Sequence, residues 1–222
     1  MVVCLFVFED PFLLLLSKKY SMENSKKVLL INAHLTYPNW TERKLNNSFI
    51  KIAKDFFERN NYEVLETKIE EGYNPDEEVE KHLEADIVIL QTPVNWFGAP
   101  WIYKKYIDEV FNTGLHSQKF LSGDGRTRED LTRQYGTGGK MLGKQFMICA
   151  TWNAPEEAFG NLDQQLMQGK TTSDLFLNIS INYRFCGFEI LADYNCFDIF
   201  KSGTIENDLE NYPAHLAQVF NL

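Results

Sequence analysis

From Lys27 onward the chain alternates two hydrophobic rhythms: short continuous apolar runs, and longer stretches with apolar residues at every third or fourth position. KVLLIN (27–32), YEVLETKI (62–69), DIVILQ (86–91), KQFMICAT (144–151) and EILADYNCF (189–197) carry the first rhythm and predict strands. The most apolar of them have the character of strands buried on both faces. TERKLNNSFIKIAKDFFERNN (41–61) carries the second rhythm, with Leu45, Phe49, Ile52, Ala53 and Phe56 along one side. It predicts a helix with Thr41 as N-cap and a stop at Asn60-Asn61. Further helices are predicted over 77–85, from Pro100 to about Asn112, over 175–188, and in the closing run that starts at Ile205. Residues 113–144 keep neither rhythm, and so long a connection inside a compact domain is usually functional.

This order predicts an α/β fold, a flavodoxin-like three-layer sandwich built on a five-stranded parallel sheet in the order 2-1-3-4-5. No repeat or linker interrupts residues 22–222, which are read as one domain. Residues 1–21 are apolar, but Glu9, Asp10 and Pro11 cut them into pieces too short to span a bilayer. They lack the pattern of a signal peptide and are expected to be an N-terminal extension outside the fold, with no stable membrane insertion.

Composition narrows the partners. The chain has 222 residues, with 31 acidic against 22 basic side chains and a net charge of −9. No basic run is longer than a pair, which argues against nucleic acid as a main partner. The four cysteines (Cys4, Cys149, Cys186, Cys196) form no C-x-x-C pair, and no zinc spacing emerges among the histidines. A reduced, cytoplasmic protein is expected.

In a doubly wound sheet, ligands bind beyond the carboxyl ends of the strands near the switch in strand order. Three loops of unusual composition fall there. The first, NAHLTYPNWTERK (32–44), carries His34, Thr36 and Thr41 and ends with Arg43 and Lys44 at a helix start. Free N–H groups, a hydroxyl and two cations suit a phosphate or diphosphate. The second, TPVNWFGAP (92–100), offers Trp96, Phe97 and the adjoining Trp101 as a flat apolar surface. Pro93 and Pro100 stiffen its ends, Gly98 permits close approach of a ligand, and the N–H groups between Val94 and Gly98 can meet a heterocycle's edge. Which of the three aromatics faces a ligand is open; one of them can instead pack the core or a dimer contact. The third, TWNAP (151–155), repeats the theme with one aromatic and polar edge groups.

One motif is a decoy. GGKMLGK (138–144) fits half of a nucleotide-binding P-loop, but Gln145 and a strand follow where a hydroxyl residue and a helix are required. No paired carboxylates or nucleophile–base arrangement appears, so the pattern suits chemistry performed by a bound cofactor.

The succession PVNWFGAPW, KKYIDEVF, DGRTR, YGTGG, and TWNAP with EAF resembles the modulator of drug activity B family, flavodoxin-like NAD(P)H:quinone oxidoreductases. The resemblance covers about residues 26–222. It implies a flavin-binding domain with FAD as cofactor, NADPH or NADH as co-substrate and a quinone as acceptor. Residues His34, Thr41, Arg43, Lys44 and Leu45 would then hold the diphosphate. Pro93, Val94, Asn95, Trp96, Phe97 and Gly98 would line the isoalloxazine, and Thr151, Trp152 and Asn153 would close its other side. Tyr135, Gly138 and Gly139 would border the nicotinamide and quinone site. A homodimer is implied, with the 113–139 segment reaching toward the partner's site. The competing readings are an FMN-binding electron carrier and an azo or nitro reductase. Phe159 stands near the position of a tyrosine in the mammalian relatives, so no acid–base catalyst is assigned. Arg126 and Arg128 are candidates for the 2′-phosphate of NADPH.

Overall fold

The structure is a computed structural model that describes residues 25–38, 43–201 and 203–222. The 1–21 extension and Thr41 lie outside the described residues. Strands β1 (Lys27–Asn32), β2 (Glu63–Lys68), β3 (Ile87–Pro93), β4 (Gln145–Thr151), β5 (Glu189–Ile190) and β6 (Tyr194–Cys196) form one parallel sheet in the order β2-β1-β3-β4-β5, with β6 also on β4. The helices are α1 (Lys44–Arg59), α2 (Pro75–Glu84), α3 (Trp101–His116), α4 (Thr172–Leu175), α5 (Leu177–Cys186) and α6 (Ile205–Phe220).

The period-two alternation of the central strands decides the layers. Leu29, Ile31, Val88, Leu90 and Phe146 face a core shared with α2, α3 and α5. Val28, Leu30, Ile87, Ile89 and Met147 face the opposite core, shared with α1 and α6. Both faces of β1, β3 and β4 are covered, which is why these strands read as continuous apolar runs. Helices on both faces and the 2-1-3-4-5 order are as the sequence predicts.

Two expected single elements are divided. The 189–197 strand becomes β5 and β6, separated by Leu191–Asp193. In the gap the Asp193 carboxylate replaces a ladder carbonyl, accepting the Ile148 N–H at 3.1 Å. The 175–188 helix breaks at Phe176, whose side chain turns into the core and packs 5.1 Å from the Trp152 ring. The short α4 is closed by a capping box between Thr171 and Asp174.

Burial at the strand break pushes the Asp193 carboxyl up to about 6, against the partial relief of the Ile148 N–H. The folded value lies above the unfolded one of about 3.9. The folded chain therefore holds this proton more tightly, and stability falls as pH rises from about 4 through 6. Asp193→Asn keeps an acceptor for Ile148 without the buried charge. The variant is expected to match the parent near pH 4 and exceed it by about 1–2 kcal/mol at pH 7. Denaturant titrations at the two pH values check this; equal gains at both would assign the effect to something other than ionisation.

The P-loop look-alike has a structural role. The Lys144 ammonium donates to the carbonyl oxygens of Leu83 and Ala85 at 2.7 and 2.6 Å, capping the end of α2. Between α3 and β4 the chain is irregular but anchored: Ser122 N–H donates to the Gly138 carbonyl, and Leu121 bridges Gly139. Among the described residues no helix is long and apolar enough to cross a membrane.

Candidate active site

The carboxyl ends of β3 and β4 are in register, Pro93 opposite Thr151, and Val94 N–H donates to the Thr151 carbonyl at 3.0 Å. This pairing brings the second and third loops together around a cavity of about 510 Å³. Pro93, Val94, Asn95, Trp96 and Phe97 line one side, and Thr151, Trp152 and Asn153 another. Trp101 is absent from the lining and exposed, so Trp96 and Phe97 are the aromatics of this loop that face the cavity.

The two aromatics sit on a strained turn. Asn95 and Gly98 exchange main-chain hydrogen bonds of 2.8 and 3.2 Å, closing a two-residue hairpin whose central residues are Trp96 and Phe97. Both have positive φ, 50° and 65°. A left-handed conformation costs an L-residue with a Cβ roughly 1–2 kcal/mol, and turns of this kind favour Asn-Gly. The sequence places flexibility on Gly98, yet the positive angles fall on its two aromatic neighbours. Among the described residues, apart from its chain neighbours, no atom comes within 4 Å of the position of a Cβ on Gly98. Trp96 is 92% exposed, so its own packing does not offset the strain. Strain of this sort persists at ligand clamps, where the ligand supplies the missing contacts.

Trp152 is fixed from behind. Its indole N–H donates to Asn195 Oδ1 at 2.8 Å, and its ring packs on Phe159, Phe176 and Phe197. It forms a buried floor, while Asn153 stands at the rim. Beside it the Thr151 hydroxyl is buried without a hydrogen-bond partner. Among the described residues no main-chain carbonyl meets the N–H groups of Trp96, Phe97, Asn153 or Ala154. An apolar slot edged by unpaired donors fits a planar heterocycle with polar edges. Among the described residues none in the lining is titratable, and Phe159 contributes only packing.

The remaining wall was not foreseen. The 160–170 segment folds back on itself, with Gly160 N–H on the Lys170 carbonyl at 3.0 Å and Gly169 N–H on that of Asn161 at 3.1 Å. It brings Gln164, Leu166 and Met167 to the cavity, joined by Ile199 and Phe200. The signal in the sequence was a pair of glycines, both at positive φ, bracketing isolated apolar residues.

The first loop lies against a second, small cavity lined by Asn32, His34, Arg43, Asn47, Lys68, Glu70 and Glu71. α1 starts at Lys44 rather than at 41, with Arg43 in the N-cap position at φ 64°. Among the described residues no side chain caps the helix and no acidic residue occupies its first turn, an end whose N–H groups an anion can meet. Leu45 is half-buried against the α1 core, leaving its main chain for any ligand contact. Lys44 is exposed. Asn32 and Gln91, polar ends of apolar strands, pin the helix: Asn32 Nδ2 donates to Asn47 at 3.1 Å and Gln91 Nε2 to Asn46 at 2.9 Å. His34 is 3% exposed and neither ring nitrogen has a hydrogen-bond partner. Burial holds its imidazole below the ordinary histidine value.

Tyr135, Gly138 and Gly139 do not line the cavity of their own chain. Tyr135 lies on Phe185 at 5.4 Å with the Arg126 guanidinium 5.3 Å from its ring, and Arg126 is itself bonded to Asp124. Gly138 passes the main chain of Gly123 and Gly125, and a Cβ on Gly139 would lie 2.3 Å from the carbonyl carbon of Cys186. Close packing accounts for both glycines within one chain.

A parallel 2-1-3-4-5 sheet with an aromatic slot at the carboxyl ends of its strands defines a flavodoxin-like α/β protein. A family described as having a flavodoxin-like fold matches residues 26–219. The NADPH:quinone oxidoreductase MdaB of Haemophilus influenzae is 40% identical over 177 residues, covering 80% of this chain and 91% of that protein. Among solved structures, one assigned as a quinone reductase from Klebsiella pneumoniae matches with a TM-score of 0.70 at 23% identity, covering 87% of this chain and 85% of that one. General stress protein 14 of Treponema denticola, solved in complex with FMN, matches with a TM-score of 0.60 at 16% identity, covering 86% and 98%. The chain belongs to the modulator of drug activity B family within the flavodoxin-like fold.

Proposed function

We propose that the chain is an FAD-dependent NADPH:quinone oxidoreductase, in which nicotinamide and quinone use the cavity between the second and third loops in turn. The carrying observation is that Trp96 and Phe97, strained and exposed, face the same apolar cavity as the unpartnered Thr151 hydroxyl. The likeness to the H. influenzae enzyme, which runs over 91% of its length, supports the same reading of substrate class.

Bound flavin would supply the two-electron chemistry, taking reducing equivalents from NADPH and passing them to the quinone. Trp96 and Phe97 would hold the ring plane, and Thr151 with the neighbouring N–H groups would bind its polar edge and favour charge there. His34, Arg43, Lys44 and the first turn of α1, from Leu45 on, would hold the phosphate groups. Thr41 belongs to the same loop. Among the described residues of one chain the lining holds no group that could deliver a proton at neutral pH, so protons for the product would come from water or from a second copy.

FAD is favoured over FMN by the length of the first loop and its His34, Arg43 and Lys44. The T. denticola protein with FMN gives the second reading, an FMN-binding electron carrier or an azo or nitro reductase, its own support. Exposed Trp101, Tyr135, Leu142, Leu177 and Ile181 are apolar surface that a second copy would cover. A homodimer would bring Tyr135, Gly138 and Gly139 of the 113–139 segment toward the neighbouring site. Buried free thiols at Cys149, Cys186 and Cys196 accord with a reducing, cytoplasmic setting.

Flavin released by denaturation is expected to co-migrate with FAD. The purified protein is expected to oxidise NADPH only when a quinone is present, with added FAD restoring activity to depleted protein. Release of FMN would move the reading to the alternative; failure to take up either flavin would overturn both.

A further inference from the structure

The Arg43 side chain, at the start of α1, already has an anion against it. The Glu70 carboxylate, just beyond β2, accepts the Thr36 N–H at 2.9 Å and the Thr36 hydroxyl at 3.0 Å. Arg43 Nε lies 3.4 Å from Glu70 Oε2 and donates to Thr36 Oγ1 at 2.7 Å. His34 Nδ1 stands 3.9 Å from the same oxygen, too far to satisfy the buried ring. Farther out, Glu71 faces Arg43 at 3.9 Å and Lys68 at 3.5 Å. An N–H, a hydroxyl and a guanidinium gathered on one oxyanion is the donor set that recognises phosphate. Here the oxyanion belongs to the chain.

We propose that Glu70 is a built-in competitor for the cofactor's phosphate: its carboxylate holds the first-loop donors together until the phosphate displaces it. The inference rests on the reading of that loop as the phosphate site. Two anions cannot share one set of donors without repulsion, so entry of the phosphate requires Glu70 to swing away. Without cofactor, Glu70 keeps Thr36 and Arg43 paired. With cofactor bound, the same charge opposes it. Affinity is thereby set below what the donors alone would give.

Glu70→Gln retains the shape and one acceptor but removes the charge. Flavin-depleted protein titrated with FAD, followed by quenching of flavin fluorescence, is expected to bind about tenfold more tightly in the variant, the scale of one unit charge removed beside an anion. Thermal unfolding of the depleted protein should shift down or stay level, while the rise in Tm on adding FAD should grow. Glu70→Asp, with a shorter reach and the same charge, should remain near the parent. Unchanged or weaker FAD binding by Glu70→Gln would overturn the inference and make Glu70 a support for the cradle. Arg43→Met separates the two levels of argument: a large loss of affinity upholds the loop as the phosphate site whatever Glu70 does. No loss on Arg43→Met would remove that reading and this inference with it.

Discussion

Replacing Trp96-Phe97 by Asn-Gly is expected to make the protein more stable and nearly unable to hold flavin. Both native residues occupy positive φ in a two-residue hairpin closed by Asn95 and Gly98. Asn-Gly adopts these angles without the penalty of about 1–2 kcal/mol that each bulky residue bears. Because Trp96 is almost fully exposed, little burial is lost with it. Phe97 is partly covered, which trims the gain to roughly 1–3 kcal/mol, or about 3–8 °C in Tm for a domain of this size. Flavin affinity should fall about a hundredfold, since two aromatic faces on a planar ligand contribute on the order of 1–1.5 kcal/mol each. Thermal unfolding of the cofactor-free form and an FAD titration on the same sample read both effects. A loss of stability would mean that the turn is not strained; an unchanged affinity would remove the aromatic pair from the site.

The largest expected loss of stability lies elsewhere, at Glu78 on α2. Its carboxylate, 2% exposed, accepts from Thr67 Oγ1 at 2.7 and 2.9 Å, from the Tyr106 hydroxyl at 2.7 Å and from the Lys81 ammonium at 2.7 Å. Lys81 also donates to the Glu66 carbonyl at 3.0 Å, so the cluster ties α2 and α3 to the end of β2. Truncation to alanine would strand a buried tyrosine hydroxyl and a half-buried ammonium. The cost is expected to be about 3–5 kcal/mol, a large part of the 5–15 kcal/mol that typically holds a domain together. Glu78→Ala should lower Tm by roughly 10 °C, and Glu78→Gln by less. In a double-mutant cycle, Tyr106→Phe should cost less in the Glu78→Ala background than alone. A loss under about 1 kcal/mol for Glu78→Ala would show the cluster to be solvated rather than structural.

Glu78 also shows where sequence reading stops. Within PDEEVEKHLE it has the look of one more acid on a solvated helix face, and only the approach of β2 and α3 buries it. Lys144 is the converse case, a lysine in a glycine-rich run that imitates nucleotide chemistry but caps a helix. Asn32 and Gln91 were visible as polar ends of apolar strands, yet their bonds to Asn47 and Asn46 depend on where α1 lands. The 160–170 wall of the cavity left only two glycines as its trace.

The sequence by itself determined the strand–helix alternation, the doubly covered parallel sheet and the three loops that follow its strands, of which the second and third share the main cavity. These follow from hydrophobic periodicity and from how parallel strands must be connected, both written in local residue order. The tertiary structure alone decided that Trp96 and Phe97 take left-handed angles, that Asp193 interrupts the fifth strand position, and that Glu70 meets Thr36 and Arg43. Each of these depends on pairing between segments far apart in the chain, and no local pattern encodes the partner a polar group will meet.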